Sequence, residues 1–130
     1  MKKFLMIVAA LLLCAVSIEA GNPLKKSRLV FDEYVIDVGE TPYKKGGSYT
    51  FKFPYRNQGE GDLIISAIVP GCYCIVPEYS NDPLKMGQTD TITVTYNPYR
   101  SGKFRQMLAV CSNSEHEVLY ITVRGDLIEE

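Results

Sequence analysis

Residues 48–56 read Ser48-Tyr49-Thr50-Phe51-Lys52-Phe53-Pro54-Tyr55-Arg56. Aromatic rings occupy every second position from 49 to 55, with polar residues or proline between them. Successive side chains of a strand point to opposite faces, so this stretch carries one wholly aromatic face and one polar face. Burying each ring is worth roughly 1.5–3 kcal/mol, and that gain requires an opposing apolar layer. Pro54 offers no N–H to a ladder, so its N–H side should meet an edge or a bulge.

The same alternation recurs on both sides. Ile92, Val94 and Tyr96 interleave with Thr91, Thr93 and Thr95; Leu119, Ile121 and Val123 interleave with Tyr120, Thr122 and Arg124. Leu63, Ile65, Ala67 and Val69 predict a strand whose other face is also partly apolar, and Phe104, Leu108 and Val110 line one side of another. Leu29 and Phe31, followed by Val35 to Val38, predict one broken strand at the start. Turn-forming segments at 57–62, 85–88, 97–102 and 112–115 separate these stretches. No sustained 3.6-residue periodicity follows residue 20. The expectation is all-β: an antiparallel sandwich of about seven strands, two sheets packed face to face, after an N-terminal signal helix.

The first 20 residues, MKKFLMIVAALLLCAVSIEA, have a basic start at Lys2 and Lys3 and an apolar run from Phe4 to Val16. Ser17-Ile18-Glu19-Ala20 follows, with a small residue just before a plausible cut after Ala20, the pattern of a secretory signal. The apolar run is shorter than the roughly 20 residues a spanning helix needs. Residues 1–20 are therefore read as a signal peptide, 21–27 as a lead-in and 28–130 as one domain. Leu11-Leu12-Leu13-Cys14 resembles a bacterial lipoprotein site, but Leu13 is bulky where a small residue is wanted. Cys14 is therefore read as apolar filler, with a lipid anchor there as the lesser alternative. The expected location is the periplasm or the cell surface.

The chain carries 14 basic and 15 acidic residues; without Lys2, Lys3 and Glu19 these become 12 and 14, a net charge of −2. So even a balance offers no electrostatic grip on nucleic acid. With one His and no Trp, few side chains suit catalysis. His116, between Glu115 and Glu117, reads as a solvated loop residue, and no nucleophile-elbow sequence accompanies it. Asp32, Glu33, Asp37 and Glu40 read as a solvated face and turn without an EF-hand pattern. Tyr34, Tyr43, Tyr79 and Tyr99 fall in loops or strand ends, as contact residues or as caps on the sandwich.

Three cysteines follow the signal: Cys72, Cys74 and Cys111. In extended chain, residues i and i+2 lie about 6.5–7 Å apart at Cα, so a Cys72–Cys74 bridge needs a turn. Pairing of Cys111 with either would instead close a loop of nearly 40 residues, worth roughly 3–4 kcal/mol. The favoured reading makes Cys72 and Cys74 a structural pair or packed thiols, and Cys111 a small core or face residue. Thiol exchange is a second reading. Soft-metal binding such as Cu(I), with Met86, Met107 or His116 as further ligands, is a third.

The order of motifs resembles the bacterial domain-of-unknown-function family numbered 1573. The carriers are Leu29-Val30-Phe31-Asp32, Asp37-Val38-Gly39, Phe51-Lys52-Phe53 with Asn57 and Gly59, and Asp62-Leu63-Ile64-Ile65 leading into Pro70-Gly71-Cys72-Tyr73-Cys74. Met86-Gly87-Gln88, Ile92 to Tyr96, Gly102-Lys103-Phe104, Val110 to Asn113 and Ile121 to Gly125 complete the series. The resemblance covers about residues 28–127. It implies an immunoglobulin-like sandwich, related to Hydin-type and major-sperm-protein domains, often exported by Bacteroidetes, with no known reaction, substrate or cofactor. Two departures stand out. Tyr73 and Ile75 replace the Gly and Thr of the family's usual Cys-Gly-Cys-Thr, and Cys111 stands where an aromatic residue is commoner.

The resulting expectation is an exported, non-enzymatic module for protein binding or envelope assembly. It has no cofactor, no nucleic-acid partner and no membrane span after cleavage, and its partner is an envelope or surface protein. The alternative is a thiol-redox or copper-handling factor working through Cys72 and Cys74.

Overall fold

The computed structural model describes residues 25–129. The signal segment with its cut after Ala20, Cys14 and residues 21–24 of the lead-in lie outside the described residues. Eight strands follow in order: β1 Leu29–Phe31, β2 Val35–Pro42, β3 Tyr49–Asn57, β4 Ile65–Pro70, β5 Ile75–Glu78, β6 Thr89–Tyr96, β7 Gly102–Ser112 and β8 Val118–Ile128. They form two four-stranded sheets, ordered β1-β3-β6-β5 and β2-β8-β7-β4. Among the described residues no helix is long and apolar enough to cross a membrane.

The aromatic stretch behaves as its alternation requires. Phe51, Phe53 and Tyr55 are buried and Tyr49 packs against the same core, while Thr50, Lys52, Pro54 and Arg56 are exposed. Ile92, Val94 and Tyr96 from β6 continue this layer. Phe104, Leu108 and Val110 from β7, with Ile121 and Val123 from β8, supply the opposing one. Phe104 meets Tyr96 across the interface with ring centroids 4.7 Å apart. Pro54 accepts the Asp32 N–H at its carbonyl, 3.2 Å, so its side without an N–H faces β1 at the point where β1 ends, opposite Tyr55. Of the pair of bonds expected between Asp32 and Pro54, the ladder keeps the one donated by Asp32 and lacks the one position 54 would donate, and β1 ends there.

The broken first strand is divided between the sheets, and with β5 this turns the six stretches read above into eight strands. Leu29–Phe31 pairs antiparallel with β3; after the step at Asp32 to Tyr34, β2 joins the other sheet beside β8. The β2–β8 pairing is parallel, so the sandwich is not wholly antiparallel. A chain that crosses between sheets without reversing keeps its direction, and that direction coincides with β8. Next, β4 departs from simple alternation. A register shift between Ile65 and Ala67 turns Ile68 into the core and Val69 outward, and Leu63 sits before the strand in a bridge with Leu84. One extra residue inverts the faces beyond it. Finally β5, only four residues with Pro77 inside, pairs with β6 without having shown a period-two signal.

One end of the sandwich is pinned by amides. Asn57 is fully buried. Its Oδ1 accepts the Arg28 N–H (3.0 Å) and the Gly59 N–H (2.9 Å); its Nδ2 donates to the carbonyls of Gly61 (2.7 Å) and Leu84 (2.8 Å). Asn113 accepts from Ser27 Oγ and the Ile64 N–H and donates to the Asp62 carbonyl. A Cβ on Gly59 would lie 2.3 Å from the Lys26 carbonyl oxygen, so only glycine lets the lead-in pass.

Candidate functional site

Two surfaces carry chemistry. The first is the four-residue crossover from β4 to β5. Here Cys72 and Cys74 form a disulfide with Cα atoms 5.1 Å apart. The Ile75 N–H closes a turn onto the Cys72 carbonyl (3.2 Å), which draws the two cysteines closer than extended chain allows. Tyr73 achieves this turn without glycine's freedom: among the described residues no non-glycine φ is positive. Its side chain stands 100% exposed at the tip, whereas Cys74 is buried at 4% and Cys72 is half-buried. The Cys74 N–H points at Cys72 Sγ, 3.1 Å away, and the Cys74 carbonyl accepts the Asn97 N–H. Closing so short a loop removes little unfolded-chain entropy, about 1.5 kcal/mol in the chain-entropy picture, so the bridge contributes little to overall stability.

Cys111 takes no part in that bridge. It is buried on β7 but lies outside the core cluster. Its register partners Ala67 and Val118 place it on the outward side of the second sheet. Of the proposed soft ligands, Met86 lies in the β5–β6 connection, Met107 on β7 and exposed His116 in the β7–β8 connection. Among the described residues no group of three or more His, Cys, Asp or Glu is placed to hold a metal ion. The soft-metal reading is not carried further.

The second surface is that outward side, and it emerges only from the register. Paired residues share a face, so successive rows can be read across the strands. Val69, Ala109 and Tyr120 form one row; Met107, Thr122 and Val35 form the next but one along β7. Tyr120 is 57% exposed, Val69 55%, Val35 47%, Met107 42% and Val118, paired with Cys111 two residues along β7 on the other side, 40%. These five are large apolar side chains on one sheet face. Beyond them the face turns charged: Arg105, Arg124 and Asp37 make one row, Lys103, Asp126 and Glu40 another. An open cavity of about 540 Å³ lies over the charged rows, with Phe104 and Gly125 at its base.

A bulge shapes this charged half. Between Asp37 and Glu40 the β2 register shifts, and Gly39 adopts a left-handed φ of 62°. Asp37 Oδ1 accepts the Gly39 N–H (2.8 Å), and Oδ2 accepts Arg124 Nε–H (3.0 Å). The Gly39 N–H is the main reason the Asp37 carboxyl titrates below its ordinary value; desolvation opposes it, and the hydrogen bond and charge of Arg124 add to the lowering. Arg105 sits directly beside Arg124 in the ladder, two like charges of which one is matched by Asp37.

The remaining expectations resolve individually. Tyr43 and Tyr79 pack against the core as caps, Tyr79 Oη also accepting the Ile68 N–H at 3.3 Å. Tyr34 stacks edge-on to Phe31 yet stays exposed, and Tyr99 is largely in solvent. The apolar rows escape sequence reading because β7 and β8 alternate correctly for core burial while their outward positions mix apolar and polar types.

A family profile described as protein of unknown function (DUF1573) matches residues 29–127. No curated protein matches the chain. Among solved structures, a protein of unknown function from Porphyromonas gingivalis W83 is similar at 14% identity and a TM-score of 0.67, over 78% of this chain and 47% of that one. This chain thus spans about half the length of that relative. The ASH/PapD-like domain 7 of human CEP192 is similar at 14% identity and TM-score 0.62, over 81% of this chain and 88% of that one. The secreted serine protease VesC of Vibrio cholerae is similar at 16% identity and TM-score 0.59, over 77% of this chain and 23% of that one. At these identities the likeness concerns the fold, which is immunoglobulin-like and PapD-like.

Proposed function

Because this chain belongs to the DUF1573 family, whose description names no activity, we propose its role from its surface: an exported, non-enzymatic module that binds another envelope or surface protein through the outward face of the β2-β8-β7-β4 sheet. The observation that carries this is the gathering of Val35, Val69, Met107, Val118 and Tyr120 on that one face. A contiguous apolar patch in contact with water favours a partner that covers it. The signal-like first 20 residues support an envelope location.

A partner strand added at an edge fits less well. Ser114 Oγ takes the Leu29 N–H at the β1 edge, and Asn81 Nδ2 and Tyr79 Oη take backbone groups of β4. β2 is bulged and ends in Pro42, and β5 contains Pro77. Such features blunt edges against further pairing. The partner's chemistry follows from the face: an apolar surface for Val69, Tyr120 and Met107, and a carboxylate at one end for Arg105, the cation left beside Arg124.

The test places a photo-crosslinking residue at position 120, and separately at 69, in the exporting cell. One dominant protein adduct is expected from both, at least about tenfold weaker when Met107→Glu is added. The same crosslinker at position 99 should give none. An adduct of two copies of this chain, or equal adducts from position 99, would overturn the proposed partner or the proposed face.

A further inference from the structure

We propose that the Cys72–Cys74 bridge is a thiol–disulfide exchange site that takes two electrons from a pair of cysteine thiols on a partner protein. This goes beyond the binding reading and does not depend on it. Four observations combine. The bridge lies in an exposed crossover, with Tyr73 wholly in solvent at its tip. Its two sulfurs differ: Cys72 is half-buried and reachable, Cys74 is 4% exposed and lies behind it. The Cys74 N–H sits 3.1 Å from Cys72 Sγ, where it would stabilise a thiolate on that atom. The loop it closes is too short for the bridge to be needed for folding, and Cys74, a member of the core cluster against which Cys72 packs, is held by that packing as well as by the bridge.

The exchange balances as follows. A partner thiolate attacks Cys72 Sγ, forming a new S–S bond and breaking the bond to Cys74, whose sulfur leaves with the electron pair and takes up a proton. The partner's second thiol loses its proton and attacks the partner sulfur of the mixed disulfide. Cys72 is released as a thiolate facing the Cys74 N–H. The partner dithiol becomes a disulfide, and Cys72 and Cys74 become a dithiol.

The full chain is equilibrated in glutathione buffers of graded poise, quenched with acid, alkylated and digested with trypsin. The peptide spanning residues 57–85 contains Cys72 and Cys74 and no other cysteine. It should pass from bridged to dithiol within millimolar reduced glutathione while far-ultraviolet dichroism stays unchanged and the melting transition stays cooperative, lowered by about ten degrees or less. Mixed with a reduced two-cysteine peptide, the oxidised protein should yield one peptide disulfide for each bridge lost. With glutathione disulfide, Cys74→Ser should form an adduct at residue 72 at least about tenfold faster than Cys72→Ser forms one at residue 74. A bridge that opens only when the protein unfolds overturns the proposal, as do equal adduct rates in the two variants.

Discussion

Arg124 on β8 donates from Nε to Asp37 Oδ2 at 3.0 Å, across the parallel seam that joins β2 to the sheet. Asp37 Oδ1 is already occupied by the Gly39 N–H of the same bulge. One carboxylate thus closes a local turn and ties an edge strand to its neighbour. Both side chains are about half exposed, so the seam depends mainly on backbone bonds and on Ile36 packing inward.

Titration of Asp37 tests that arrangement. Its folded pKa lies below the ordinary 3.8, so its contribution is present above pH 3.8 and is lost as pH falls through the folded value. By carboxyl NMR the Asp37 midpoint should lie below 3.8. In Arg124→Leu it should rise yet stay below the ordinary value, because the Gly39 N–H is the larger cause. A return to the ordinary value in that variant would reverse the ranking.

Asn57→Ala should lower stability by about 3 kcal/mol or more, since it strands the Arg28 and Gly59 N–H groups and the Gly61 carbonyl in a buried corner, while the Leu84 carbonyl keeps the Leu63 N–H. Asn57→Asp keeps the acceptor side alone and should also destabilise. Urea unfolding gives both values; a loss under about 1 kcal/mol for Asn57→Ala would mean that water replaces the amide.

The two glycines of the turns should respond differently to alanine. At Gly59 the new methyl would meet the Lys26 carbonyl oxygen at 2.3 Å and the Arg28 nitrogen at 2.6 Å, so the lead-in must move. At Gly39 nothing lies within 4 Å, and the cost is only the left-handed backbone, about 1–2 kcal/mol. Melting curves should rank Gly59→Ala well below Gly39→Ala in stability. The reverse order would show that the lead-in yields freely.

Alkaline stability should depend on Tyr55. Burial, reinforced by the Asp90 carboxylate, pushes its phenol up to about 12. The folded state therefore holds this proton more tightly than the unfolded chain. Stability is undiminished below pH 10 and falls as pH rises from 10 towards 12. Tyr55→Phe should flatten that decline in chemical unfolding measured at stepped pH. An unchanged slope would place the alkaline loss at other groups.

What could be read from the chain is what repeats locally. The buried faces of β3, β6, β7 and β8 follow from side chains two apart, because a strand's pleat has the same period everywhere. Pro54 was expected to meet an edge or a bulge, and its side without an N–H instead faces β1, at that strand's end. The Cys72–Cys74 spacing stated its own condition, a turn, and the Ile75-to-Cys72 bond meets it.

The amino-acid sequence by itself therefore determined the class of fold, the composition of its core and the cysteines open to bridging. Tertiary structure alone decided that the broken first strand serves both sheets, that β2 runs parallel to β8, and that the β4 bulge turns Val69 outward. It alone brought Val35, Val69, Met107 and Tyr120, from four strands spread between residues 35 and 120, onto one exposed face. The reason is that periodicity specifies which side of a strand is buried, whereas pairing partner and register depend on contacts between segments far apart in sequence.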